Sequence, residues 1–505
     1  MVLDKKVKIY TVIVSLCFLL LVILIGLYRE HNSCMGISLI SYSELESYKE
    51  DLTVDIKDIT FNEESVIADI YRGTIYISQA SDLIKDSSKL QGKLDIKNPE
   101  QKLYILNNAQ LQNLKETISN GEYLTLVVVQ NNSICKFNVA ISTLPVISID
   151  GENYIGYTKK AAFICESDMT LLAGQDPSID KPSKGNYSIK WHIRGGKSAR
   201  LAKKPIKITL LKENGKNKNV DLLGMGADDD WILNPMNLDD TKLREKSAIE
   251  VWNNYITDPV NDYSMSTAQY VELVVNGNYY GLYLLQRRVD AKFLELDKTE
   301  DLLFKGHSGW GANYVWEGYG TVYSPFEFEE TYGLLEDAIY KVDIENYVNV
   351  NLFLQFLSAT DNVGYKNMFY ALKPDENGEY KLYHIPWDTD VSMGIIPGNG
   401  YLNYYDFKIC LGQDIRRMDY YNMLLEYSDL DNRMAERWRE LSGTVFGEGG
   451  KYEEILDANK KIILESGALA RDTNHWGLMY NGGDTIENLY LWNKEKTLWM
   501  DELWK

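Results

Sequence analysis

Ala359-Thr360-Asp361-Asn362-Val363-Gly364-Tyr365-Lys366-Asn367, then a run from Met368 to Leu372, an Asn377-Gly378 pair, a run from Lys381 to Ile385, and Trp387-Asp388-Thr389-Asp390: this stretch decides how the chain is read. The two runs are short and rich in strand formers, and an Asn-Gly pair between such runs is a hairpin signal. A hairpin returns the chain to where it started. The loop carrying Asp361 and the loop carrying Asp388 and Asp390 are therefore expected at one end, with three carboxylates and the Asn367 amide converging there. Taken singly, each acidic residue reads as ordinary turn chemistry. Together, across a hairpin, they read as a site.

Hard divalent cations take oxygen ligands of this kind. Mg2+ characteristically uses one or two carboxylates and lets substrate phosphates and water complete its shell. That economy suits phosphoryl transfer, where protein kinases place a catalytic-loop Asp, a downstream Asn and a second, metal-binding Asp. Here the Asp361-to-Asn367 gap is one residue longer than in the usual kinase arrangement. Asp388-Thr389-Asp390 is also a D-x-D motif, which leaves a metal-dependent glycosyl or phosphate transferase open.

Working outward, Tyr270 to Val275, Asn276-Gly277 and Tyr279 to Leu285 form a second hairpin signal. From Tyr332 to Leu357 apolar residues recur at helical spacing, and the chain after Asp429 is largely helical in pattern. Strands thus dominate before Leu285 and helices after Leu334, an α+β order. Residues 37–143 carry short alternating runs with one helical interruption near Asn108 to Ser119, a small β-rich domain whose expected role is spacer or adhesion module. Residues 144–505 read as one mixed domain. A basic stretch, His192-Ile193-Arg194-Gly195-Gly196-Lys197-Ser198-Ala199-Arg200 followed by Lys203-Lys204, could set backbone N–H groups and cations against phosphate oxygens, or be a solvated hairpin.

At the N-terminus, Ile9 to Tyr28 is apolar enough and long enough to span a bilayer. It exceeds the usual signal-peptide core and lacks a small-residue cleavage site. Lys5, Lys6 and Lys8 precede it, so residues 1–8 are expected in the cytoplasm and everything after Arg29 outside, on a single-pass anchor in the cell membrane. The 505-residue chain carries a net charge of −20, which argues against nucleic acid as a partner. Its 36 Tyr and 11 Trp would suit stacking on carbohydrate, although most aromatics in a chain of this size are core. Cys34, Cys135, Cys165 and Cys410 lie beyond the anchor without the dense spacing of a disulfide scaffold. Free thiols are expected, with Cys135–Cys165 the one pairing to consider.

The block from Ile193-Arg194-Gly195 to Leu210, the block from Leu223 to Arg244 with Asp230-Trp231-Ile232-Leu233, Asn276-Gly277-Asn278-Tyr279-Tyr280-Gly281-Leu282-Tyr283, Thr360-Asp361-Asn362 with Lys366-Asn367, and Ile385-Pro386-Trp387-Asp388-Thr389-Asp390 occur in that order. The order resembles the CotH spore-coat kinase family. The resemblance implies a divergent, two-lobed protein-kinase-like fold that uses ATP and Mg2+ or Mn2+ to phosphorylate Ser or Thr hydroxyls of proteins. It implies Asp361 as the catalytic-loop residue and Asp388 as a metal ligand, with Asn367 or Asp390 completing the metal shell. It places Arg194, Lys203 and Lys204 on the phosphates, Lys204 first. The chain departs from the family pattern at Gly195-Gly196-Lys197-Ser198 and at Ala202. A different class of role, a catalytically silent surface or coat scaffold binding proteins or cell-wall polymer, is the alternative.

Overall fold

A computed structural model describes residues 33–82, 84, 89–151, 165–172, 185–257, 264–297, 300–306, 316–319, 341–362, 367–396, 400–401, 429–480 and 483–505. The expected tail and membrane helix, residues 1–28, lie outside these. Among the described residues no helix is long and apolar enough to cross a membrane.

The N-terminal strands form a seven-stranded sheet in the order Ser33–Cys34, Ile37–Ile40, Lys102–Leu106, Leu124–Gln130, Ser133–Ser142, Thr74–Ser78, Ile67–Asp69. Leu124–Gln130 sits in the middle, and its side chains are buried on both faces: Leu124, Leu126 and Val128 in one cluster, Val127 and Val129 in another. A strand covered on both sides reads as an unbroken apolar run, as this one does. The helical interruption is present as Ala109–Gln112 and Leu114–Ser119. Cys135 lies on this sheet as a free thiol, so it does not pair with Cys165. Burial pushes the Cys34 thiol up to about 12, which leaves it inert.

Next comes a closed barrel of seven strands: β1 (Val146–Gly151), β2 (Cys165–Leu172), β3 (Gly185–Ile193), β4 (Ile206–Leu211), β5 (Asp230–Asn234), β6 (Ala268–Val275) and β7 (Asn278–Arg287). Neighbours run β1-β2-β3-β4-β5-β7-β6, and β6 returns to β1. All pairs are antiparallel except this last one, in which Val146 faces Glu272 and Ile149 faces Val275. Alternate residues fill the interior, among them Ile147, Ile149, Met169, Ile189, Trp191, Ile208, Trp231, Leu233 and Tyr283. The β6–β7 hairpin turns at Asn276 (φ 47°) and Gly277 (φ 68°), the double left-handed geometry that an Asn-Gly turn supplies.

Helix α1 (Arg244–Val251) lies between β5 and β6 in sequence. A second sheet follows, with β8 (Leu302–Gly306), β9 (Trp316–Tyr319), β10 (Met368–Pro374) and β11 (Tyr380–Pro386) in the order β9-β8-β10-β11. The β10–β11 pair is the antiparallel hairpin expected around Asn377-Gly378. Around it stand α2 (Ile344–Leu357), α3 (Leu430–Leu441), α4 (Lys451–Glu465), α5 (Ala468–Trp476) and α6 (Ile486–Leu503). α2 starts where the Asp343 carboxylate accepts from Asn346 N at 2.8 Å, and it is buried nearly all round. Of the helix expected over Tyr332 to Leu357, only this part falls among the described residues. The architecture is mixed α+β: a barrel beside a smaller sheet wrapped in helices.

Candidate functional site

Helix α2 delivers Asp361. It ends at Ser358 in the left-handed region (φ 45°), and the buried Lys496 ammonium donates to Ser358 Oγ at 2.9 Å, a cation at a helix C-terminus. Asn367 Nδ2 donates to Asp361 Oδ2 at 3.0 Å. Asn362 Nδ2 donates both to Asn367 O at 3.0 Å and to Trp387 O at 2.8 Å, while Trp387 N donates to Asn367 O at 3.0 Å. One buried amide thus stitches the Asp361 loop to the Asp388 loop at the open end of the β10–β11 hairpin. Asn367 (φ 55°) and Asp388 (φ 58°) are both left-handed, a conformation that Asn and Asp tolerate better than other side chains. Asn362 Oδ1 is buried with no hydrogen-bond partner among the described residues.

Asp388 and Asp390 meet a third acid that the sequence reading missed. Glu245, on α1, is fully buried and accepts from Thr389 N at 2.7 Å, Thr389 Oγ1 at 2.8 Å and Gln286 Nε2 at 3.1 Å. Burial first and Asp388 second push its carboxyl up to about 7. Desolvation pushes Asp390 well above the carboxylate range, helped by the charges of Asp388, Glu245, Asp239 and Asp361. Burial and the neighbouring carboxylates together disfavour ionisation of Glu245 and Asp390. Among the described residues no three His, Cys, Asp or Glu side chains are placed to hold a metal unaided. A cation here would need oxygens from a ligand as well, which is the habit of Mg2+.

The loop after Asp390 is fixed by Arg244. Its fully buried guanidinium donates to Ser392 O (Nε, 3.0 Å), Met393 O (3.2 Å), Asp239 Oδ1 (2.6 Å) and both oxygens of Asp484 (2.7 and 2.9 Å). Asp240 in turn accepts from Met479 N and Tyr480 N at 2.7 and 2.9 Å. The segment before α6, the start of α1 and the Asp390 loop therefore form one hydrogen-bonded unit. The Leu223-to-Arg244 block ends one residue short of Glu245. Nothing else marked Glu245, because Arg-Glu-Lys at a helix start ordinarily reads as surface.

The basic residues divide. Arg194, at the end of β3, lies 6.0 Å over the Trp387 ring and within Coulombic reach of Asp388 and Glu245. Lys203 is elsewhere occupied: its buried ammonium donates to Asp472 Oδ1 (2.7 Å), Pro235 O (3.1 Å) and Leu282 O (2.5 Å). An ammonium has three donors, so none is left for a phosphate in this geometry. Burial lowers its pKa to about 8 against the attraction of Asp472. Lys204 is buried as well and donates to Ala199 O at 3.1 Å, within its own loop. The structure thus brings Asp361, Asn367, Asp388, Asp390 and Arg194 together and directs Lys203 into the barrel wall.

A family model described as CotH kinase protein matches residues 191–314 and 328–500, more than half of the chain. The search of curated proteins finds no match.

Proposed function

Because the chain belongs to the CotH family, we propose that it is a metal-dependent kinase that transfers the terminal phosphoryl group of ATP to Ser or Thr hydroxyls of a protein acceptor. In this reading the barrel with α1 is one lobe of a divergent kinase-like fold, and the second sheet with α2–α6 is the other. The observation that carries it is the Asn362 bridge, which ties the Asp361 loop to the Asp388–Asp390 loop, where neighbouring carboxylates and burial disfavour ionisation of Asp390.

The family implies ATP and a divalent cation, and the donor set fits a hard cation: carboxylates whose mutual repulsion a metal would relieve, and amide oxygen nearby. Asp388 and Asp390 would hold the ion. Asn367 uses its amide nitrogen on Asp361, so only its oxygen can serve as a ligand. When bound, the cation would offset charge on the phosphates. Asp361, oriented by Asn367, is the residue to accept the proton of an acceptor hydroxyl. We also propose that the segment Ile9 to Tyr28 anchors the enzyme in the cell membrane with residues after Arg29 outside; reporter fusions map that topology.

Residues 33–505 incubated with labelled ATP, Mg2+ or Mn2+ and a Ser-rich protein test the activity. Asp361→Ala should lose about 10²–10⁴-fold of the incorporation, the scale of general-base catalysis. Incorporation no higher than that of Asp361→Ala in either metal would sink the kinase reading. The internal engagement of Lys203 favours the alternative, a catalytically silent surface or coat scaffold. Failure of both ATP and a sugar nucleotide to raise the thermal midpoint would support it.

A further inference from the structure

We propose that Lys496, on the C-terminal helix α6, is a positioning residue that sets Asp361 by holding the left-handed turn at Ser358. The last four carbonyls of a helix find no partner within it. In α2 two of them are met by the turn itself, Gln355 O by Ser358 N and Leu354 O by Ala359 N, each at 3.1 Å. The other two are met from distant parts of the chain: Phe356 O accepts from Trp492 Nε1 at 2.9 Å, and Leu357 O from Met393 N at 2.8 Å. Helix α6 and the loop after Asp390 therefore both grip the end of α2.

Ser358 makes this turn need support. A helix that ends in a left-handed residue usually ends in glycine, because a Cβ is disfavoured there. Ser358 adopts that geometry (φ 45°, ψ 52°) while buried, and the fully buried Lys496 donates from Nζ to its Oγ at 2.9 Å. The ammonium lies 5.7 Å from the Trp492 ring centroid and 4.8 Å from that of Trp499, so both rings hold it from the same face of α6. Ala359 and Thr360 separate Ser358 from Asp361, and both are tied: Ala359 N donates to Leu354 O, and Thr360 Oγ1 donates to Ile395 O at 3.1 Å. Little slack remains between them, so a rotation at Ser358 passes on to Asp361.

That Asp361 serves catalysis rests on the kinase reading, so the test includes a readout that needs no catalysis. In residues 33–505, hydrogen exchange at the Ala359 and Asn362 amides, both hydrogen-bonded in the parent, should quicken at least about tenfold in Lys496→Met, the loss of one charge-assisted contact. Ser358→Gly, which suits the left-handed turn and removes the acceptor, should quicken it too, and carries the test if Lys496→Met does not fold. In phosphate transfer each variant should lose about 10²-fold in kcat, the scale of a misplacement of about 1 Å, with KM for ATP within about twofold of the parent. The two losses should not multiply when the substitutions are combined. Met500→Ala, which opens a cavity beneath the same helix, should lower the melting temperature and keep kcat. Unchanged exchange in folded variants, kcat retained despite faster exchange, or an equal loss of kcat in Met500→Ala would overturn the role of Lys496 and leave the kinase reading intact. Faster exchange in both variants, with a parent that transfers no phosphate, would uphold the positioning of this loop and remove the kinase reading.

Discussion

Arg471 holds Glu272 through two hydrogen bonds, Nε to Oε1 at 2.9 Å and Nη2 to Oε2 at 2.7 Å, with both side chains fully buried. Tyr279 Oη donates to the same Oε1 at 2.6 Å, and Ser142, from the N-terminal sheet, hydrogen-bonds the carboxylate too. The next residue, Asp472, takes Lys203 and accepts from Leu282 N at 2.9 Å. Helix α5 thus sets two successive charged residues into the barrel wall.

Breaking the first pair should be costly, because it strands a buried charge. Arg471→Met is expected to lose about 3–5 kcal/mol in urea unfolding, whereas Arg471→Met combined with Glu272→Met should recover much of that loss. The Arg471 guanidinium and the hydrogen bonds hold Glu272 below the usual carboxylate range despite its burial. Its contribution is therefore complete above the ordinary glutamate range and drains away as pH falls through the folded value. A double variant no more stable than Arg471→Met would contradict the pairing.

The N-terminal sheet is expected to be part of the folding unit and more than a spacer. Tyr76 stacks on Tyr279 with centroids 4.9 Å apart, Tyr279 N donates to Asp69 Oδ2 at 3.2 Å, and Ile67, Tyr76 and Ala140 share a buried cluster with Val146, Val274 and Tyr279. Cutting the chain to residues 144–505 would expose that cluster and leave Glu272 without Ser142. The shortened chain should melt at a clearly lower temperature than residues 33–505, or without a cooperative transition. Equal melting temperatures would show the sheet to be dispensable.

Local features were legible in the sequence and long-range ones were not. Asn276-Gly277 and the β10–β11 hairpin follow from turn chemistry within a dozen residues, and the helices follow from apolar spacing. Barrel closure depends on the parallel pairing of Val146 with Glu272, which no local pattern encodes. The Asp361 and Asp388 loops could be brought together on paper because one hairpin separates them. Glu245 could not, since it reaches the site from a distant part of the chain. Lys203 was placed on the phosphates as a basic residue beside a Gly turn, but its partner Asp472 lies 269 positions away.

Asn362 offers the sharpest test of the bridge between the two loops. Its amide donates to the carbonyls of Asn367 and Trp387, so Asn362→Ala should cost about 1–3 kcal/mol by leaving buried acceptors unmatched. Asn362→Asp should be worse than Ala, since a carboxylate cannot donate to either carbonyl and adds charge beside Asp361 and Asp388. Urea unfolding ranks the two, and single-turnover phosphate transfer should fall in the same order. An aspartate variant as stable and active as the parent would mean that the bridge positions nothing.

Glu245 makes stability depend on pH in the direction opposite to Glu272. In the folded chain it keeps its proton up to about 7, whereas in the unfolded chain it releases it in the ordinary glutamate range. Between those limits the folded state binds more protons, so this group makes the protein less stable as pH rises. Asp390 acts in the same sense. A divalent cation beside Asp388 and Asp390 would offset the repulsion that appears when these protons leave. The rise in thermal midpoint on adding Mg2+ to residues 33–505 should therefore be larger at about pH 8 than at about pH 5. Glu245→Gln, which cannot ionise, should show a weaker fall in metal-free stability between the two. A Mg2+ shift that is the same at both pH values, or a pH slope unchanged in Glu245→Gln, would mean that these carboxylates do not share one electrostatic site.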